Sequence, residues 1–256
     1  MGIFGRIDTF IIWFDGVVWG LPLIILILVT GIFLTVRLGL LQVRYLGKAL
    51  KFMVKNEEDG HGEVTSFGAL CTALSATIGT GNIVGVATAI SAGGPGALFW
   101  MILTAFLGMA TKYSEGLLAV KYRTIDEDGH VLGGPFYYIE NGMGVKFRWL
   151  AKIFAFFGAG VGLFGIGTFT QVNGISSAVR NFFDPNMAHT VALFGNDYSW
   201  ATVISCLVLT VCVGMVVLGG IKRIAKVSEI VVPFMAVLYV VLAVIIMVTN
   251  ITAIPA

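Results

Sequence analysis

Six residues that could bind an ion or free the backbone crowd into eight positions: Ser75-Ala76-Thr77-Ile78-Gly79-Thr80-Gly81-Asn82, inside an otherwise apolar stretch. Glycine is a poor helix former, and hydroxyl and amide side chains compete for backbone hydrogen bonds, so a helix is expected to break here. In hydrocarbon, freed backbone groups must find partners in protein, water or ligand. Unwound carbonyls suit a cation, and the N–H groups that open the next half-helix suit a carboxylate. The chemistry implied is binding of a small solute and an ion. The same residues also fit close helix packing, with Gly81 and Gly85 as a small-xxx-small pair.

A second polar group follows about ninety residues later. A glycine-rich run (Gly158, Gly160, Gly162, Gly165, Gly167, Gly174) carries Thr168, Thr170, Gln171 and Asn173. Amides at membrane depth must be hydrogen-bonded, either across to a neighbouring helix or into a polar cavity. Lys112 and Glu115 are three apart and share a helix face. They stand near the end of an apolar run, where snorkelling or a local ion pair accounts for them, with coupling or gating as the alternative. Gly133-Gly134-Pro135-Phe136-Tyr137-Tyr138-Ile139-Glu140 reads as a turn and a short interfacial helix.

Other chemistries find no footing. His61, His130 and His189 are scattered without metal-ligand spacing, no phosphate-cradling loop carries a lysine, and no serine nucleophile is paired with a histidine in an apolar run. Catalysis and an organic cofactor are not expected. Thr77-Ile78-Gly79-Thr80-Gly81 is faintly like a potassium filter, but it lies within a long span rather than after a short pore helix. Cys71, Cys206 and Cys212 lie in apolar runs and read as inert thiols.

The elements that must position these residues are membrane spans. Of the 256 residues 57% are hydrophobic and 12% charged, and the mean hydropathy is +0.94. That charge fraction is roughly half the usual value for a soluble domain. The net charge of +2 gives no support for nucleic-acid binding. Six stretches reach the ~20 apolar residues a span needs. They run from about Val17 to Val36, Phe67 to Ser91, Gly96 to Val120, Leu150 to Val179, Trp200 to Leu218 and Val227 to Val248. Residues 3–14 look amphipathic and suit the interface. With the loop after the first span inside, 13 of the 16 basic residues are cytoplasmic and the amino terminus is outside. Trp13, Trp19, Trp100, Trp149 and Trp200 fall near span ends, where indole is favoured.

Several stretches together resemble the alanine or glycine:cation symporter family. They are Gly93-Gly94-Pro95-Gly96-Ala97-Leu98-Phe99-Trp100-Met101 continuing to Gly108, the run Ser75 to Ala87, Ala110-Thr111-Lys112-Tyr113-Ser114-Glu115-Gly116, and the Gly-Gly-Pro-Phe-Tyr-Tyr loop. The likeness covers essentially the whole chain. One departure is Ile102, where the family pattern usually has a tryptophan. The resemblance implies an all-α membrane protein with a leucine-transporter-like fold of two inverted five-helix repeats and an extra amino-terminal helix. Residues 1–66 would hold an interfacial segment, the extra helix and a cytoplasmic loop. Residues 67–249 would be the first repeat, and 250–256 a truncated end.

The implied activity is sodium- or proton-coupled uptake of alanine or glycine across the plasma membrane. Thr77, Gly79, Thr80, Gly81, Gln171 and Asn173 would contact the amino acid, and Ala76, Gly79 and Asn82 would be candidates for sodium. A second repeat is needed to complete such a site, so the sequence is expected to be a fragment of a longer transporter. The alternatives are a second half-transporter chain that supplies the rest, or a non-transporting assembly subunit in the lipid bilayer.

Overall fold

Long apolar runs leave an α-helix as the economical way to satisfy backbone groups in lipid, and the computed structural model is almost wholly helical. It describes residues 3–54, 64–193 and 195–253. In chain order the helices are α1 (Ile3–Val18), α2 (Leu21–Arg37), α3 (Leu41–Arg44), α4 (Leu46–Val54), α5 (Ser66–Thr77), a π-helical turn (Gly81–Gly85) leading into α6 (Val86–Gly93), α7 (Gly96–Lys121), α8 (Pro135–Met143), α9 (Arg148–Phe164), α10 (Ile166–Phe183), α11 (Trp200–Val217) and α12 (Gly220–Thr249). Two short antiparallel hairpins lie in the connections: β1 (Thr124–Ile125) with β2 (Val131–Leu132), and β3 (Thr190–Leu193) with β4 (Asn196–Ser199).

Among the described residues, five helical stretches are long and apolar enough to cross a membrane: Gly5–Arg37, Gly96–Lys121, Val145–Phe183, Trp200–Val217 and Gly220–Thr249. Taken as one span, the bent pair Ser66–Thr77 and Gly81–Gly93, which turns through 59°, makes a sixth. This is a multi-pass membrane protein. Two boundaries differ from the sequence expectation. The segment expected along the interface, 3–14, belongs to the longer α1. The expected span Leu150–Val179 lies within Val145–Phe183, which contains an unforeseen break between α9 and α10 at Gly165 with φ +59°. A left-handed residue ends a helix, and glycine is the residue that adopts it without a Cβ penalty.

The chain forms two compact units. The first comprises Met1–Leu50 with Ala89–Phe156. Its centre is α2 against α7, where Gly31 lets the backbone approach Leu107 and Ala110 is fully buried. The turn after α2 is pinned by Gln42, whose Nε2 donates to Thr35 Oγ1 (2.9 Å) and to the Phe106 carbonyl (3.2 Å). Helix α8 docks on the end of α7. Asn141 donates to the Tyr122 carbonyl, Gly142 lies against the Tyr122 ring, and Glu140 pairs with Arg148 at 2.8 Å. Burial pushes the Tyr138 phenol up from its ordinary value, with Glu115 adding to the effect. Lys112 and Glu115 form an ion pair at 2.9 Å with exposed side chains, which is the local pairing weighed for them above.

The second unit comprises Lys51–Thr88 with Phe157–Ala256. Helix α12 packs along α5, and α11 packs against both α10 and α12. The carboxylate of buried Asp184 closes the α10 end of this unit. It accepts from Ser199 Oγ (2.6 Å) and the Ala188 N–H (2.8 Å). The Ser199 hydroxyl, foremost, holds its carboxyl below the usual range. The cysteines are free thiols: Cys71 is buried, Cys206 half-buried and Cys212 exposed.

Candidate solute and ion site

The break in the second span lies wholly in the second unit, and its local cause can be traced atom by atom. Helix α5 ends with the Ile78 N–H donating to the Leu74 carbonyl at 2.8 Å. The next two N–H groups leave the ladder. Gly79 donates to Asn82 Oδ1 (3.1 Å), and Thr80 donates to Gln171 Oε1 (2.9 Å). In an unbroken helix they would serve the carbonyls of Ser75 and Ala76, which thereby lose their regular donors. The Asn82 N–H returns to the Gly79 carbonyl at 3.0 Å. The Asn82 side chain thus takes up the Gly79 N–H while its own N–H closes a turn on the Gly79 carbonyl, and the new half-helix starts there.

Two glycines make room for this arrangement. A Cβ on Gly79 would overlap the Gln171 amide, and one on Gly174 would fall 2.6 Å from the Thr80 methyl group. Gln171 and Gly174 are three apart on α10 and so share a face. Helix α10 therefore offers α5 and its continuation one polar contact and one seat for a methyl group. The helix restarts as a π-turn over Gly81–Gly85, a form often found at functional sites.

The sequence candidates separate into groups. Gly79, Thr80 and Gln171 are brought into direct contact. Asn82 is tied to Gly79. Thr77 is exposed, and its hydroxyl donates back to the Ala73 carbonyl (2.8 Å) within its own helix. Gly81 and Ala76 are exposed. Asn173 is exposed and stands two residues from Gln171, about 200° around the helix. Gly174 was missed as a site residue, although its i+3 spacing from Gln171 could have flagged it. For a cation, the available donors are hard oxygens: the Ser75 and Ala76 carbonyls, the Gly79 carbonyl and Asn82 Oδ1. That set fits sodium, which needs no His, Cys or acidic cluster, and none of three or more such groups occurs among the described residues.

Discontinuous membrane helices recur at the solute and ion sites of secondary transporters. The chain belongs to the sodium:alanine symporter family, whose profile matches residues 5–256. It is 52% identical over 249 residues to a protein of Haemophilus influenzae named as an uncharacterized transporter, covering 97% of this chain and 51% of that one. It is 48% identical over 242 residues to the sodium/alanine symporter AgcS of Methanococcus maripaludis, covering 91% of this chain and 49% of that protein. The chain spans about half the length of the curated relatives it matches.

Proposed function

We propose that this chain carries one half of the binding site of a secondary transporter that couples sodium to the uptake of alanine or glycine across the plasma membrane. The observation that carries the reading is the Thr80–Gln171 contact at the broken span. It joins a half-helix amino terminus to a side chain that can both accept and donate. The family membership and the sodium/alanine symporter among the relatives support the substrate and the ion.

In this reading the amino acid's carboxylate is drawn to the N–H groups near Thr80 and Gly81, where the half-helix dipole favours negative charge. Gln171 Oε1 occupies the Thr80 N–H in the structure described here. An arriving carboxylate takes over that acceptor role, and the Gln171 amide, with its Nε2 beside Gly79, is then free to donate to it. Thr77 lies at the margin of the same site, and Asn173 is on another side of α10 from Gln171. Sodium is held by oxygens of Ala76, Gly79 and Asn82, and it stabilises the unwound segment that the amino acid needs. The two ligands therefore raise each other's affinity by the same factor. Residues 67–249 form the first of two inverted five-helix repeats, preceded by an extra helix. The second repeat completes the pocket, from the same polypeptide or from a second half-transporter chain.

The test is uptake by the complete transporter reconstituted in liposomes. An inward sodium gradient should drive alanine or glycine accumulation, and Gln171→Ala should raise KM for the amino acid. Accumulation driven equally well by a proton gradient without sodium would move the coupling to protons. No gradient-driven accumulation would overturn the transport reading.

A further inference from the structure

We infer that Glu229 is a positioning residue: its carboxylate latches the amino end of α5 onto α12 and so holds the first half of the broken span in place. Helix α5 begins at Thr65, whose Oγ1 accepts the Gly68 N–H at 2.9 Å as an N-cap. The same hydroxyl donates its proton to Glu229 Oε1 at 2.9 Å. A Cβ on Gly68 would overlap that carboxylate oxygen, so the acid group lies flush on the first turn of α5. A carboxylate at a helix amino terminus is favoured by the helix dipole, and its hydrogen bond is roughly twice as strong as a neutral one.

The rest of the α5–α12 seam is small-grained. Gly68, Cys71 and Ser75 repeat at helical spacing on α5, and Ala225, Ser228 and Val232 do so on α12. At the far end the polar contact is a single long hydroxyl pair, Ser228 to Ser75 at 3.3 Å. Just beyond it the backbone ladder is interrupted at Gly79 and Thr80, and the span bends by 59°. The twelve-residue α5 packs along α12, with the hinge at one end of this seam and a charged contact, Glu229 on the Thr65 cap, at the other. Release of that contact lets α5 lift from α12 without disturbing the half-helix beyond the break.

Cys71 reports the lift directly. It is 2% exposed, lies one turn past Gly68 and faces the seam, so a thiol reagent reaches it only when α5 moves. The experiment follows the rate of Cys71 modification by N-ethylmaleimide in membrane vesicles of the complete protein with Cys206 and Cys212 replaced by alanine. Thr65→Val, which removes the hydroxyl without changing charge, should raise the rate about tenfold, equivalent to ~1.4 kcal/mol of lost closure. Thr65→Ser should leave it at the parent rate.

Removing a carboxylate beside a thiol also alters the thiol's own reactivity, so Glu229→Ala is read through a cycle. Adding Thr65→Val to Glu229→Ala should give a clearly smaller increase than Thr65→Val gives alone, the remainder being the lost N-cap bond to Gly68. Half-buried Cys206 on α11, followed with Cys71 and Cys212 replaced, should keep its rate in every variant. The latch is overturned if Thr65→Val leaves Cys71 unchanged, if Cys206 accelerates in step, or if Thr65→Val gives the same factor with and without Glu229. Only the role of the latch in alternating access rests on the transport proposal. The labelling is read without transport, so failure of uptake and failure of the latch are separate results.

Discussion

Two helices of the second unit are interrupted, and they are interrupted in different ways. At the α5 break, the freed N–H groups of Gly79 and Thr80 are taken up by side chains, Asn82 from the same segment and Gln171 from α10. At the junction of α9 and α10 the bonds are backbone to backbone. The Gly165 N–H donates to Gly162 (3.3 Å), and its carbonyl accepts from Thr168 (2.9 Å) and Phe169 (3.2 Å). The first break leaves its freed N–H groups on side-chain partners, which a ligand replaces in the proposed site. At the second, the groups of Gly165 itself stay bonded to backbone. A glycine in a membrane helix therefore does not by itself mark a site; what answers the freed backbone does.

This contrast can be broken at four points. The largest effect is expected for Gly79→Ala. Its Cβ would occupy the space of the Gln171 amide, and an overpacked contact of this kind typically costs ~1–3 kcal/mol. Alanine uptake by the complete transporter should fall at least about tenfold. Uptake at the parent level would show that the Gly79–Gln171 approach is dispensable.

Next, Gln171→Leu leaves the Thr80 N–H without its acceptor at membrane depth, a loss of about 1–3 kcal/mol. Purified protein should show a lowered Tm that added alanine partly restores, together with a raised KM. An unaltered KM would confine Gln171 to structure.

Gly165→Ala tests the other break. An alanine there keeps the left-handed φ of +59° at a cost of roughly 1–2 kcal/mol, and its Cβ would meet the Phe169 ring at an ordinary 3.6 Å. Stability should drop while KM for alanine stays within about twofold. A large KM change would place the second break in the site as well.

The smallest effect is expected for Asn173→Ala, because that side chain is exposed and on another side of α10 from Gln171. Its uptake loss should be several times smaller than that of Gln171→Leu. Equal losses would bring the Asn173 side of the helix into the pocket.

The spans were legible because an apolar run of about twenty residues has few alternatives in lipid. The break at Ser75–Asn82 was legible for a related reason: its glycines, hydroxyls and amide are costly in hydrocarbon unless they are used. Gln171 stood out by the same argument, as an amide in an apolar stretch. The division of the fourth span was not legible. Gly165 is one of six glycines in that stretch, and only its backbone angle distinguishes it from its neighbours. Glu229 did not stand out in the sequence, because its partner Thr65 lies 164 positions earlier.

By itself, then, the sequence determined the membrane class, the six spans, the place of the break and the family resemblance. The first three follow from local composition and spacing, which set the cost of burying backbone and side chains in hydrocarbon; the resemblance rests on particular motifs. The tertiary structure decided which groups answer the break. It brought Gln171 to Thr80, set Gly174 under the Thr80 methyl, left Asn173 exposed and placed Glu229 on the first turn of α5. Those pairings join residues 91 to 164 positions apart in the chain. They depend on helix rotation and separation, which the packing of α5 on α12 and of α10 on α11 sets and which no local pattern encodes.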